Sequence, residues 1–350
     1  MSGTPTSGVR PWPTRPVPIV VAPMAGGPST PELAAAVSGA GGLGFLAAGY
    51  QPATQVSEQI RRVHELTDEP VGVNVFVPGP DIDEGARRAQ QTAVDAYIDL
   101  LRGEAMRVGV ELPQVRWDDT DDWDAKIDAL VADPVDVVSF TFGTPSTDVV
   151  EALHAVGSCV AVTVTDVTEA QAATEVGADT LIVQGCEAGG HRGTHEVAAT
   201  PNGLDHVELL RLLADSPLDL VAAGGITTGG DTRRALEHGA IAVQAGTAFL
   251  LADEAGTNAV HRTEIRAGRL EPTITRAFSG RPARGLRNRF VETFDDYAPS
   301  VFPAVDQLTK PLRARAAALR DSGGMSLWVG AGWRASAALP AAAITRRLTA

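Results

Sequence analysis

A repeated unit narrows the fold more than anything else in this chain: a short, almost wholly apolar run breaks into Gly, Pro or a polar residue and is followed by a helical pattern. Eight such runs occur, at Pro18–Met24, Leu43–Gly49, Val71–Val77, Val135–Gly143, Cys159–Asp166, Thr180–Gly185, Leu218–Ile226 and Ala242–Leu250. They are nearly continuous rather than alternating, so both faces of each strand are covered, as in a parallel sheet. Between them lie helical stretches such as TEAQAATEVG and GGDTRRALEHG, and Ser29 or Thr30 ahead of Pro31 and Glu32 marks one helix start. Eight parallel strands, each followed by a helix, over roughly 250 residues predict an α/β fold of the TIM-type (β/α)8 barrel, with ligands at the C-terminal ends of the strands.

Around that barrel, read as residues 18–250, the remaining segments take their places. Residues 1–17, rich in Pro, Ser, Thr and Gly, read as a flexible arm. Residues 78–134 break the rhythm with two charged helical segments, near 81–107 and 121–132, and read as an insertion after the third strand. Residues 251–350, with helices near 254–267 and 303–321, read as a cap on the substrate side. With 44% hydrophobic residues the chain of 350 can bury a large core unaided. Its net charge of −14 argues against nucleic acid as a partner. No run reaches the length of a membrane span or a signal peptide. Cys159 and Cys186 are the only cysteines, so a disulfide framework is not expected and the reducing cytoplasm is the expected compartment. Monomer and homodimer both stay open.

The chemistry concentrates where strands end. TLIVQGCEAGGHRG, residues 180–193, runs from a buried strand into a glycine-rich loop bearing His191. Backbone N–H groups and one titratable ring can approach a ligand closely there, with His191 as a base or a hydrogen-bond donor. AAGGIT after the seventh strand and QAGT after the eighth predict a phosphate site, with Gly224, Gly225, Gly246 and Thr247 as donors. GAGGLG at 39–44 has the spacing of a dinucleotide fingerprint but follows a helix and leads into a strand, so a Rossmann domain is not supported. Asn74 and Gln184 are amides in apolar strands; each either satisfies a neighbouring loop or reads the polar edge of a planar ligand. His191 and His195 have a metal-pair spacing, but Gly193 lies between them and a loop does not preserve it, so no metal is expected. His195 and the other histidines are assigned surface or helix-end places. Cys186 is a minor nucleophile candidate, and Lys310, one of only two lysines, stands out.

PIVVAPMAGGPS, VGVNVFVP, SFTFGTP, VQGCEAGGHRG, AAGGI, QAGT and SGRPARGLRN follow one another between about residues 18 and 330. Together they resemble the nitronate monooxygenase family, formerly called 2-nitropropane dioxygenases. The resemblance implies an FMN-binding barrel with no metal or nicotinamide requirement. It implies oxidation of alkyl nitronates with O2 to carbonyl compounds and nitrite, a detoxification of propionate 3-nitronate. It sets the flavin ring against Ala22, Pro23 and Met24, with its polar edge near Asn74 and Gln184. The phosphate falls at Gly189, Gly224, Gly225 and the run Gln244, Ala245, Gly246, Thr247, and His191 matches the active-site histidine. FPAVDQLTKPLRARAA and LWVGAG are similar to a segment that closes over substrate in one class of these enzymes. That class carries an aromatic hydroxyl where Phe302 stands, so no role is transferred to Phe302. Lys310 is a candidate contact for an anionic substrate. A flavin-dependent enoyl-acyl carrier protein reductase, which would use a nicotinamide donor, stays open as an alternative. So do a non-catalytic phosphate- or flavin-binding barrel and a nucleotide dehydrogenase of the inosine-phosphate type using Cys186.

Overall fold

The structure, a computed structural model, describes residues 10–350. Each of the eight expected strands forms: β1 (Ile19–Val21), β2 (Gly44–Ala47), β3 (Val71–Phe76), β4 (Val137–Thr141), β5 (Cys159–Val164), β6 (Thr180–Gln184), β8 (Asp219–Ala223) and β9 (Ala242–Ala245), with a short β7 (Gly190–His191) outside the barrel. They make one parallel sheet in the order β1-β9-β8-β6-β5-β4-β3-β2. The seam between β1 and β2 is closed by a parallel bridge from Val20 to Leu43, where Val21 N–H donates to Leu43 O at 3.0 Å and Leu43 N–H to Ile19 O at 2.9 Å. The protein is therefore a TIM-type (β/α)8 barrel.

The continuous apolar runs have a simple cause. Val20, Phe45, Val137, Ala161, Ile182 and Val221 fill the barrel interior, while neighbours such as Val21, Leu46, Val138, Val162 and Val183 pack outward on the helices. That outer layer is α1 (Pro31–Gly39), α2 (Ala53–Leu66), α4 (Trp123–Ala132), α5 (Thr147–Ala155), α6 (Val167–Glu175), α7 (His206–Leu212) and α8 (Gly229–Glu237), with a long α3 (Glu84–Val108) in the insertion. The helix ring is completed from far along the chain. After β9 the chain passes through α9 (Ala259–Ala267), α10 (Arg289–Phe294) and α11 (Ala304–Ala318) before α12 (Ala341–Arg347) returns to α1, burying Ala341, Ile344 and Leu348 in the barrel's outer core.

Close packing of this layer depends on glycine at position 44. A Cβ there would lie 2.1 Å from the carbonyl oxygen of Ala34 in α1. Backbone cannot swing aside as a side-chain tip can, so Gly44→Ala is expected to destabilise the barrel by at least about 1–3 kcal/mol. A thermal unfolding temperature equal to that of the parent would show that α1 can retreat from β2 at no cost.

Of the arm expected at 1–17, residues 1–9 lie outside the described residues, while 10–17 are tied down. Trp12 joins the interior cluster, Arg10 N–H donates to Asp179 Oδ1 at 2.7 Å, and the Arg15 guanidinium donates to the carbonyls of Gly42 and Ser38, each at 2.7 Å.

A second core joins the insertion to the C-terminal segment above the barrel mouth. Tyr97 and Leu101 of α3 pack with Phe278, Phe290, Val305 and Leu308, and the Phe278 and Phe290 rings stack at 4.6 Å. Beside it, β10 (Pro272–Thr275), β11 (Ala283–Leu286) and β7 form an antiparallel sheet in which Ala283 is paired with His191 and Arg284 with Gly190. The histidine loop of the barrel is thereby one strand of the cap. Among the described residues no helix is long and apolar enough to cross a membrane.

Candidate functional site

A cavity of about 430 Å³ opens at the C-terminal ends of the strands. The residues expected to act on substrate or hold the flavin line it: Ala22, Pro23, Met24, Asn74, Gln184, Gly189, His191, Gly224, Gly225, Gln244, Ala245, Gly246, Thr247 and Lys310; Cys186, the minor nucleophile candidate, does not, and its Sγ donates to Gly203 O at 3.2 Å.

At one end the glycine turns form a cradle. Gly224 and Gly225 adopt φ of 95° and 73°, a left-handed pair that turns the chain back after β8. Gly189 faces the late segment so closely that a Cβ would lie 2.4 Å from Gly330 N. Gly330 N–H donates to Thr247 Oγ1 at 2.9 Å and Ala331 N–H to Glu187 O at 2.9 Å, so LWVGAG is strapped across the cradle. Just ahead of α8, Thr227 and Thr228 both donate backbone N–H groups to Asp231 Oδ2, at 3.1 and 2.9 Å, so neither is free for a ligand. The N–H groups of the glycine loops are the donors an anion here would meet. Gln244 keeps its Oε1 buried without a partner among the described residues, an acceptor in want of a donor.

The two strand amides divide between the readings left open for them. Gln184 is consumed by its own loop: Nε2 donates to His191 O at 3.2 Å and Oε1 accepts from Gly193 N–H at 2.8 Å. It braces the loop while still lining the cavity. Asn74 spends its Nδ2 on β4, donating to Ser139 Oγ at 2.9 Å and Thr141 Oγ1 at 3.0 Å, which leaves Oδ1 for the cavity.

His191 stands against an aromatic wall of the same cavity. Its Nε2 is 2.8 Å from Ser279 Oγ, and its ring is walled by Phe142 at 5.7 Å, Trp328 at 5.6 Å and Phe302 at 6.2 Å. Burial, with the nearby positive charges of Arg281 and Arg313, pushes its pKa down to about 3, so the imidazole is neutral. Arg281 is 1% exposed; it lies 4.0 Å over the Phe142 ring and donates to Thr194 O at 2.7 Å, and burial lowers it to about 10. Arg313 donates to Asp306 Oδ1 at 2.6 Å. Lys310 is exposed at the mouth, its Nζ 6.0 Å from the Tyr50 ring.

Tyr50, Phe142, Ser279, Arg281, Arg313 and Trp328 were not among the residues named from the sequence. Tyr50 and Phe142 lie within three residues of strand ends, where the barrel rule directs attention. Ser279, Arg281, Arg313 and Trp328 lie in motifs already singled out. Phe302 packs 5.4 Å from Phe142 and backs the His191 ring. His261, expected at the surface or a helix end, stands in the first turn of α9 but is buried against the cavity, and burial lowers its pKa to about 4. Among the described residues no group of three metal-ligating side chains converges.

His191, His206 and His261 all have pKa values lowered chiefly by burial. The unfolded chain, with histidines near 6.5, therefore binds more protons than the folded one as the pH falls. Their contribution is fully present above pH 6.5 and is lost toward pH 4, with a slope of up to about 1.4 kcal/mol per pH unit for each. Glu104, lowered to about 2 by Arg107 and Arg289 against the opposing effect of its burial, adds acid sensitivity only below about 4.5. The unfolding temperature is expected to drop between pH 6.5 and 4.5; a flat profile across that window would mean these rings take up protons in the folded protein.

The family profile described as nitronate monooxygenase matches residues 14–350. The nitronate monooxygenase of Pseudomonas aeruginosa is 41% identical over 343 residues, covering 95% of each chain. Among solved structures, nitroalkane oxidase from Streptomyces ansochromogenes is similar with a TM-score of 0.89 and 44% identity, over 95% of each chain. FabK from Thermotoga maritima follows with a TM-score of 0.71 and 25% identity, over 95% of this chain and 92% of that one. These likenesses extend through the cap and the strap that complete the cavity, not only through the barrel. The chain belongs to the nitronate monooxygenase family and is an oxidoreductase of that family.

Proposed function

We propose that this protein oxidises alkyl nitronates, propionate 3-nitronate among them, with O2 to the carbonyl compound and nitrite, using FMN. The observation that carries the reading is a barrel-mouth cavity lined by His191, Arg313, Lys310 and a cradle of glycine turns, with Phe142, Trp328 and Phe302 packed around the His191 ring.

The cavity's residues fit the cofactor. Gly189, Gly224, Gly225, Gly246 and Thr247 would hold the phosphate, Ala22 to Met24 the ring's apolar side, and the Gln244 Oε1 and Asn74 Oδ1 acceptors its polar edge. FMN when bound supplies the electron-accepting ring. The remaining work falls to side chains. A ring with a pKa of about 3 is a weak proton acceptor, so His191 is poorly matched to deprotonating a neutral nitroalkane. It is well matched to holding a substrate already ionised, with the positive charges of Arg281 and Lys310 favouring the anion while Arg313 is paired with Asp306. Aromatic walls from Phe142, Trp328 and Phe302 exclude water beside the ring.

The test is an anaerobic titration of the flavin-loaded protein with ethylnitronate and, separately, NADH. Bleaching by the nitronate alone, with nitrite released on readmitting air, is the expected result. Bleaching by NADH alone would transfer the chain to the reductases, whose likeness is weaker if judged by FabK at 25% identity against 44% for the nitroalkane oxidase.

A further inference from the structure

Tyr50 lines the cavity at the turn after β2, and its hydroxyl is buried with no hydrogen-bond partner among the described residues. Its backbone is also unusual, with φ of 66°, a left-handed conformation that an aromatic residue rarely adopts. The insertion holds it there. Tyr50 N–H donates to Asp121 Oδ1 at 2.9 Å, and Asp121 Oδ2 lies 2.8 Å from the ammonium of Lys126, whose side chain is fully buried. A buried ammonium needs its partner, so this pair is a rigid anchor rather than a loose surface contact. The neighbouring Asp122 adds a bond from Ala53 N–H at 2.7 Å, tying the same turn to the start of α2. Edge-on contact with Phe76 at 5.3 Å and Phe302 at 6.4 Å fixes the ring. The charges acting on the phenol are Asp306, Arg313 and Arg281 on the cap side of the cavity and Asp121 in the insertion.

A strained backbone and an unsatisfied buried hydroxyl at one residue both persist only where something outweighs them. We propose that Tyr50 determines specificity by donating a hydrogen bond to the anionic oxygen of a bound nitronate, so that the insertion, through Asp121 and Lys126, selects the ionised substrate over its neutral nitroalkane. This rests on the nitronate reading of the site. A hydrogen bond to a charged oxygen is about twice as strong as one to a neutral acceptor, and the selectivity follows from that difference. Burial raises the phenol pKa well above its ordinary value, so it stays a donor at working pH.

Tyr50→Phe removes the hydroxyl and keeps the ring. The expected result is a fall of about 10- to 100-fold in kcat/KM for ethylnitronate, carried by KM. The inhibition constant of freshly dissolved nitroethane should move by only about 3- to 10-fold, because a neutral nitro group makes a bond about half as strong. The unfolding temperature of the free protein should not fall, since the lost hydroxyl has no protein partner. An unchanged KM for ethylnitronate, equal losses for anion and neutral ligand, or a lowered unfolding temperature would overturn the assignment to substrate selection. Failure of the unmutated protein to oxidise ethylnitronate is read separately and would overturn the functional reading itself.

Discussion

His191→Ala is expected to lower kcat/KM for a preformed alkyl nitronate by about 10- to 100-fold, the loss expected when a charge-assisted hydrogen bond to the anionic substrate is removed. The substitution leaves the backbone pairing of His191 with Ala283 intact, so the cap should stay docked. Flavin content is the control, because the substitution alters none of the residues proposed to hold the phosphate. The effect should exceed that of Ser279→Ala, which leaves the imidazole in place and removes only the hydroxyl 2.8 Å from Nε2. Activity of His191→Ala within threefold of the parent, at equal flavin content, would remove this residue from the chemistry. The pH profile adds a second check. A ring neutral down to about pH 3 predicts no change in nitronate kcat/KM centred on 6.5, the ordinary histidine value.

Gly225→Val should abolish tight flavin binding. Gly225 sits at φ of 73°, where a β-branched residue is a steric outlier, and a Cβ there would meet Glu187 Cβ at 3.2 Å. Relieving both strains requires the turn to move, and with it the N–H groups proposed to face the phosphate. The expected outcome is protein purified at under about a tenth of parental flavin occupancy. Added FMN should raise the unfolding temperature of the parent, by the linkage between ligand and folded state, but not that of the variant. Full flavin occupancy in Gly225→Val would place the phosphate elsewhere in the cavity.

Both experiments probe residues legible in the sequence, and the reason is local. A strand buried on both faces must be apolar over its whole length, so the eight runs announce themselves within windows of a few residues. Parallel pairing then directs all their C-terminal ends to one mouth, and polar or glycine residues just beyond each run become site residues by position alone. Gly224, Gly225 and the loop of His191 were found in this way, whereas Asn74 stood out as an amide inside an apolar strand and Gln244 through the family resemblance. The same logic should have included Tyr50 and Phe142, which lie within three residues of the ends of β2 and β4.

What surrounds those residues was a different matter. Gln184 reads equally well as a ligand contact or a loop brace until Gly193 N–H and His191 O are seen to engage both ends of its amide. His195, four residues from His191, points its Nε2 toward Thr163 O at 3.2 Å and takes no part in the cavity lining. The chain beyond residue 250 looked like a single cap, yet its last helix belongs to the barrel's outer ring, because AAAITRR is too short to reveal what its apolar side will cover.

By itself the sequence determined the barrel, the order of its strands along the chain, the glycine turns and the position of the histidine, since each depends on the chemistry of a short segment. Only the tertiary structure decided that Ser279 lies 2.8 Å from His191, that Arg281 and Arg313 share its surroundings, and that Lys126 anchors Tyr50. Those partners come from distant parts of the chain, and desolvation is a property of the assembled packing, so a neutral imidazole beside two arginines has no signature in any window of sequence.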